Sequence, residues 1–202
     1  MSDKLAEIIA HKKKEIEPLL LRADKLRYAA LERNEFRSLA SAIDLGGEKL
    51  GLIAEVKKAS PSAGIIAEDF DPVMQAKKYA SAGASAISVL TDSHFFGGSN
   101  HDLKISKEIF SGPVLRKDFI IDEFQIIESK SLGADVILLI ASALTKKEIK
   151  NLSKLAKELS LEVLVEIHCE KELDKAFCQY VDLIGVNNRD LKTFKTDINI
   201  SS

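Results

Sequence analysis

Four ionisable residues sit where short apolar runs end, in a pattern that suits acid–base chemistry. Glu55 and Lys57 close the run 51–56, Lys117 follows Val114-Leu115, and Glu166 follows Leu164-Val165. Residues two apart on a strand share a face, so Glu55 and Lys57 project together. Ile53, in phase with them, places that face inward. Ionised groups at the edge of a packed core are costly unless paired. Two lysines and two glutamates can offset that cost mutually, and burial with pairing tunes their pKa values toward catalysis. Each residue also has a plainer reading: Glu55 and Lys57 as a core-edge salt bridge, Lys117 and Glu166 as solvated loop residues. What sets them apart is company, because every apolar run here ends in polar groups. The ends carry Ser60-Pro61-Ser62, then Thr91 and Asp92, then Lys117 and Asp118, then Ser142, then Glu166, then Asn187, Asn188, Arg189 and Asp190.

The elements that must position these groups read clearly. The runs 51–56, 86–90, 113–115, 136–140, 161–167 and 183–186 are short, continuous and β-branched, as expected of strands buried on both faces of a parallel sheet. Helical stretches separate them. Asp71-Pro72 is a cap with Pro at the first helical position, and Gly83 ends that helix. Ser99 caps a helix through Ile109. Asp122 with Gln125, and Thr145 with Glu148, are capping boxes, and Gly133 stops the helix between them. The order is β-α six times over, which fits either a parallel barrel or an open doubly wound sheet. No Gly-rich phosphate turn follows the first run, so the barrel is preferred. In a barrel the strand ends form the active face. Residues 1–48 read as a helical extension and 49–202 as the barrel part. Phe95-Phe96-Gly97-Gly98-Ser99 reads as a loop whose aromatics either cover a substrate ring or plug the barrel mouth.

Composition narrows the function classes. Among 202 residues, 29 Lys+Arg face 31 Asp+Glu, a net charge of −2, which argues against a nucleic-acid partner. No apolar run is long enough to span a membrane, and the first residues lack the apolar core of a secretory signal. Cys169 and Cys178 make no disulfide framework, so a reducing cytoplasm is the expected setting. His11 and the run Lys12-Lys13-Lys14 read as a solvated helix face, and His168 and Cys169 as loop packing. His94 and His101 have too few neighbours for a metal, and no metal site is expected.

Taken together, the motifs IAEVKKASPSAG (53–64), VLTDSHFFGGS (89–99), VLRKDFIIDEFQI (114–126), ADVILLIASALT (134–145), LEVLVEIH (161–168) and IGVNNRDLKTF (184–194) resemble, in order, those of the indole-3-glycerol phosphate synthase family. The resemblance covers nearly the whole chain. It implies a (β/α)8 barrel and ring closure of 1-(2-carboxyphenylamino)-1-deoxyribulose 5-phosphate, with release of carbon dioxide and water, in tryptophan biosynthesis. It implies neither cofactor nor metal, and a monomer in the full-length form. Lys117 matches the family's general acid. Glu166 and Lys57 match the pair serving loss of the hydroxyl, and Glu55 the carboxylate supporting the lysines. Asn187 and Arg189 match substrate-side residues, and Ser60 a phosphate contact. Phe96 and Phe119 are candidates for the wall around the aromatic ring. The family pattern has two further βα units, carrying a glutamate and a Gly-rich phosphate loop, so the expectation is a C-terminally truncated barrel of six units with open sheet edges available for self-association. The rival readings are another phosphosugar barrel enzyme, such as an aldose–ketose isomerase, and an inactive fragment that keeps only a binding surface.

Overall fold

A computed structural model describes residues 4–44, 50–61, 64–66, 69–189 and 196–201. Three helices come first: α1 (Lys4–Leu20), α2 (Ala23–Glu32) and α3 (Leu39–Ile43). The strands β1 (Ile53–Val56), β4 (Ala86–Leu90), β5 (Val114–Lys117), β6 (Val136–Ile140), β7 (Glu162–Ile167) and β8 (Leu183–Val186) pair in that order, all parallel. No strand is inserted out of sequence, as a doubly wound sheet would require at its switch point. The sheet is six consecutive strands of a barrel wall, with β1 and β8 at its edges. Ser62 and Asp190, two of the strand-end polar groups, lie outside the described residues.

Helices α4 (Pro72–Ser81), α6 (Asn100–Ile109), α7 (Glu123–Leu132), α8 (Lys146–Glu158) and the short α9 (Leu173–Ala176) fill the crossovers. The starts of α4, α6, α7 and α8 are the ones the caps dictate. The Asp71 carboxylate accepts from the N–H groups of Val73 and Met74, and Ser99 Oγ from that of Asp102. Asp122–Gln125 and Thr145–Glu148 form reciprocal capping boxes. Gly133 ends α7 with φ +98°, a conformation that suits a residue without Cβ.

Two elements were not legible beforehand. After β1 comes an antiparallel hairpin of two-residue strands, β2 (Ala59–Ser60) and β3 (Gly64–Ile65). The segment after β4, expected as a plain loop, begins with a helical turn, α5 (Ser93–Phe96). Asp92 caps it, its Oδ1 accepting from the N–H groups of Phe95 (2.7 Å) and Phe96 (3.3 Å). Gly97 then takes φ +63°. Gly98 donates to the Asp92 carbonyl and passes so close to β4 that a Cβ would stand 2.2 Å from the Leu90 oxygen.

Alternation along each strand sorts side chains into two layers. Ile87 and Val89, Val114, Ile137 and Leu139, and Val163 and Val165 face the helices. Leu115, Leu138, Ile140 and Leu164 face the barrel interior, where Leu39 of α3 and Leu5 and Ile8 of α1 join them. Every residue of β4 and β6 is buried, as expected of parallel strands covered on both faces.

The first helix corrects one expectation. Lys12 is not on a solvated face: its side chain is only 3% exposed. It belongs to the buried stripe Leu5, Ile8, Lys12, Ile16 and Leu19. His11 is half-buried rather than solvated, stacked on His94 with ring centroids 4.1 Å apart.

Candidate active site

At the C-terminal ends of the strands lies a cavity of about 240 Å³. The structure brings all nine candidate residues to its wall: Glu55, Lys57, Ser60, Phe96, Lys117, Phe119, Glu166, Asn187 and Arg189. Leu90, Leu138 and Ile140 complete its apolar floor. Of the other described strand-end groups, Asp118 lines the cavity too, Thr91, Asp92 and Asn188 do not, and neither does Ser142. Its hydroxyl is buried with no partner among the described residues.

The position of each charge follows from strand register. Glu55 pairs across to Ser88, and Leu90 two residues further along β4 pairs to Lys117 of β5. Both side chains therefore point inward at neighbouring levels, and Lys117 Nζ reaches Glu55 Oε2 at 2.5 Å. Lys57 Nζ donates to the other oxygen, Glu55 Oε1. One carboxylate thus spans two ammonium groups. Burial works against its charge, but the lysines outweigh burial and hold the Glu55 carboxyl below the usual carboxylate range. Tyr79 of α4 donates its hydroxyl to the Glu55 carbonyl at 3.0 Å, fixing that point of β1.

Glu166 stands opposite on β7, in register between Ile140 and Gly185. Burial opposes its charge too, yet His168, Lys117 and a hydrogen bond from Asn187 keep its carboxyl below the ordinary value. His168 Nε2 lies 3.3 Å from Glu166 Oε1, and Nδ1 lies 3.6 Å from Glu172 Oε2. Burial works against the imidazolium, but these two carboxylates prevail and raise its pKa above the free value. His168 is therefore more than loop packing: its ring stands between two carboxylates, Glu166 and Glu172. The sequence signal for it was its spacing from Glu166, two residues along the chain. Asn187 also accepts the Arg189 N–H through Oδ1 at 2.9 Å.

The aromatic wall comes from two turns. Phe96 ends α5, and Phe119 follows Asp118 after β5. Their ring centroids lie 6.1 Å apart. The Asp118 carboxylate accepts the Phe119 N–H at 2.8 Å, as Asp92 does for Phe96.

On the helix side of β5 lies a second set of charges. Arg116 reaches Glu128 at 2.8 Å and Asp118 at 3.3 Å, and donates to Thr91 Oγ1 at 3.0 Å. Thr91 in turn donates to Asp118 Oδ2 at 2.6 Å. Burial opposes the charge of Asp118, but Arg116 and Lys12 overcome it and lower its pKa.

This arrangement can hold a proton on an ammonium inside a partly apolar cavity, keep two carboxylates ionised nearby, and offer a flat ring a wall of two phenyl groups. It offers no metal cluster: no group of three or more potential ligands occurs among the described residues. No helix among the described residues is long and apolar enough to cross a membrane.

The comparisons with known proteins agree with the motifs. The family model described as indole-3-glycerol phosphate synthase matches residues 5–202. The indole-3-glycerol phosphate synthase of Bordetella pertussis is 46% identical over 203 residues, covering 98% of this chain and 77% of that protein. Those of Chlorobium chlorochromatii and Geobacillus kaustophilus are 47% and 49% identical, with 98% and 96% of this chain covered and 78% and 73% of theirs. A barrel wall with an ammonium–carboxylate cluster at its strand ends, and near-half identity along nearly its whole length to these proteins, place the chain in one family: it belongs to the indole-3-glycerol phosphate synthases.

Proposed function

We propose that the cavity closes the indole ring of 1-(2-carboxyphenylamino)-1-deoxyribulose 5-phosphate, giving indole-3-glycerol phosphate, carbon dioxide and water. The observation that carries the reading is the Lys57–Glu55–Lys117 chain beside Glu166 within a cavity walled by two phenylalanines.

The chemistry follows from where charge develops. The ring carbon bearing the carboxylate attacks the ketone carbon, and the ketone oxygen needs a proton as the new bond forms. Lys117 supplies it from an ammonium held by Glu55. Loss of the carboxylate as carbon dioxide restores the aromatic ring. Loss of the new hydroxyl as water then needs an acid at the oxygen and a base for the departing proton. Lys57 and Glu166 serve these two roles. Positioned acids and bases of this kind contribute about 10²–10⁴-fold each. Phe96 and Phe119 hold the ring, and Ser60 of the β2–β3 hairpin, Asn187 and Arg189 bind the phosphosugar part.

The test is formation of indole-3-glycerol phosphate, read by its fluorescence, with the 202-residue chain and with a version extended by two further βα units. Turnover by either, abolished by Lys117→Ala, is the expected result. Turnover by neither removes the reading. Turnover unaffected by Lys117→Ala removes Lys117 as the acid.

A further inference from the structure

The ammonium of Lys12, on the first helix, lies 2.9 Å from Asp92 Oδ2 and 2.9 Å from Asp118 Oδ1, with Glu15 of its own helix at 2.6 Å. Asp92 is fully buried, and Asp118 nearly so. Each aspartate also holds the backbone of a cavity phenylalanine. Asp92 accepts the N–H of Phe96 as the cap of α5, and Asp118 accepts the N–H of Phe119. Two buried carboxylates facing one another would repel, and a single cation between them removes that cost. One nitrogen thus joins two turns that follow neighbouring strands, β4 and β5, and that carry the two faces of the aromatic wall.

We propose that Lys12 is a positioning residue: by tying Asp92 to Asp118 it sets the spacing of Phe96 and Phe119, and with it the fit of the substrate's ring. The inference rests on the synthase reading given above. Lys12 touches no substrate and reaches the cavity only through the two aspartates. A residue that merely stabilises the fold would lower the unfolding temperature and leave ring binding alone.

Lys107 offers the matched control. It makes a similar buried bridge, to Asp135 at 2.6 Å, and neither residue lines the cavity. Steady-state kinetics, thermal unfolding and amide hydrogen exchange are measured on the whole chain for Lys12→Met, Lys12→Arg and Lys107→Met. Lys12→Met is expected to raise KM about tenfold or more with a smaller fall in kcat, because the ring is gripped alike in ground and transition states. Lys12→Arg keeps the charge on a longer, forked head and gives a smaller rise of about threefold, with the unfolding temperature retained. Lys107→Met lowers the unfolding temperature while KM stays put. Exchange quickens at the amides of Phe95, Phe96 and Phe119 in the Lys12 variants only.

The proposal is overturned if KM and those amides are unchanged in Lys12→Met, or if Lys107→Met moves KM equally. If Lys12→Met does not fold, Lys12→Arg decides, and an unchanged KM with unchanged exchange overturns the proposal. If neither the chain nor its extended version turns over substrate, the synthase reading fails. The exchange comparison then still decides whether Lys12 places the two turns.

Discussion

On β5, two sets of ionised side chains stand back to back, one residue out of phase. Lys117 faces the cavity, and Arg116 and Asp118 turn to the helix layer. The inner set is partly open to solvent: the side chains of Lys117 and Glu55 are 32% and 27% exposed. In the outer set, Arg116 and Asp118 are 4% and 3% exposed. Arg116 has six partners: Thr91, Asn100, Asp118, the Gln125 carbonyl, Glu128 and Ser129. Lys117 has Glu55 close by and open cavity beyond. Charges of one type therefore serve two ends. A closed network immobilises its members and costs dearly to break, whereas an open one leaves a polar head free to meet a ligand. Burial, more than residue type, separates the two.

The largest expected effect breaks the inner set. Lys117→Ala should cut turnover by about 10²–10⁴-fold, the range for a positioned proton donor. Its unfolding free energy should change by less than about 1 kcal/mol, because a partly exposed pair contributes little and Glu55 keeps Lys57 as a partner. Rate assays and denaturant unfolding of the same sample check both halves. Arg116→Met breaks the outer set and should cost about 3–5 kcal/mol of stability, since it leaves Asp118 and Glu128 buried with a partner removed. Urea titration reads this directly, and a loss below 1 kcal/mol would dissolve the contrast.

Next in size is the pH profile. Glu55 and Glu166 are both held below the ordinary carboxylate value, so the acid limb of kcat should fall below about pH 4.3, the free glutamate value. An acid limb at pH 5 or higher would mean that Glu166 is not the ionised partner. The smallest effect sharpens the role of His168, whose pKa is raised by Glu166 and Glu172. A raised value means that its contribution to stability is complete below about pH 6.5 and fades as pH climbs through the folded-state pKa. His168→Gln should therefore cost most below about pH 6.5 and progressively less as pH rises above it, by thermal unfolding across that range. A cost independent of pH would show packing alone.

What the sequence disclosed, and what it hid, follows the range of the forces involved. All six strands of the wall were legible, because burial on both faces writes a continuous apolar run. The caps at Asp71, Ser99, Asp122 and Thr145 were legible because a cap and the N–H it accepts from lie within three residues. The inward phase of Glu55 and Lys117 needed only alternation. The hairpin at 59–65 was not, since strands of two residues carry no period. The burial of Lys12 was not read from a run of three lysines, because its partners stand at 92 and 118. Yet a signal existed: Lys12 falls on the phase of Leu5, Ile8, Ile16 and Leu19, where a lysine must find an anion. Arg116 was hidden for the same reason. Its neighbours in sequence advertise a site, while its side chain leaves in the other direction.

The one-residue phase between Arg116 and Lys117 also makes β5 unforgiving of insertions and deletions. Loss of a single residue from 113–115 would rotate the strand's pleat by half its period. The guanidinium would then be delivered into the cavity, and the ammonium into the seam between sheet and helices. Composition would be unchanged but for one apolar residue, and net charge not at all, yet both networks would fail together. Of the changes open to a gene encoding this chain, a three-base deletion there is among the small ones that would abolish fold and chemistry at a stroke, whereas most replacements on β5 would spare one of the two.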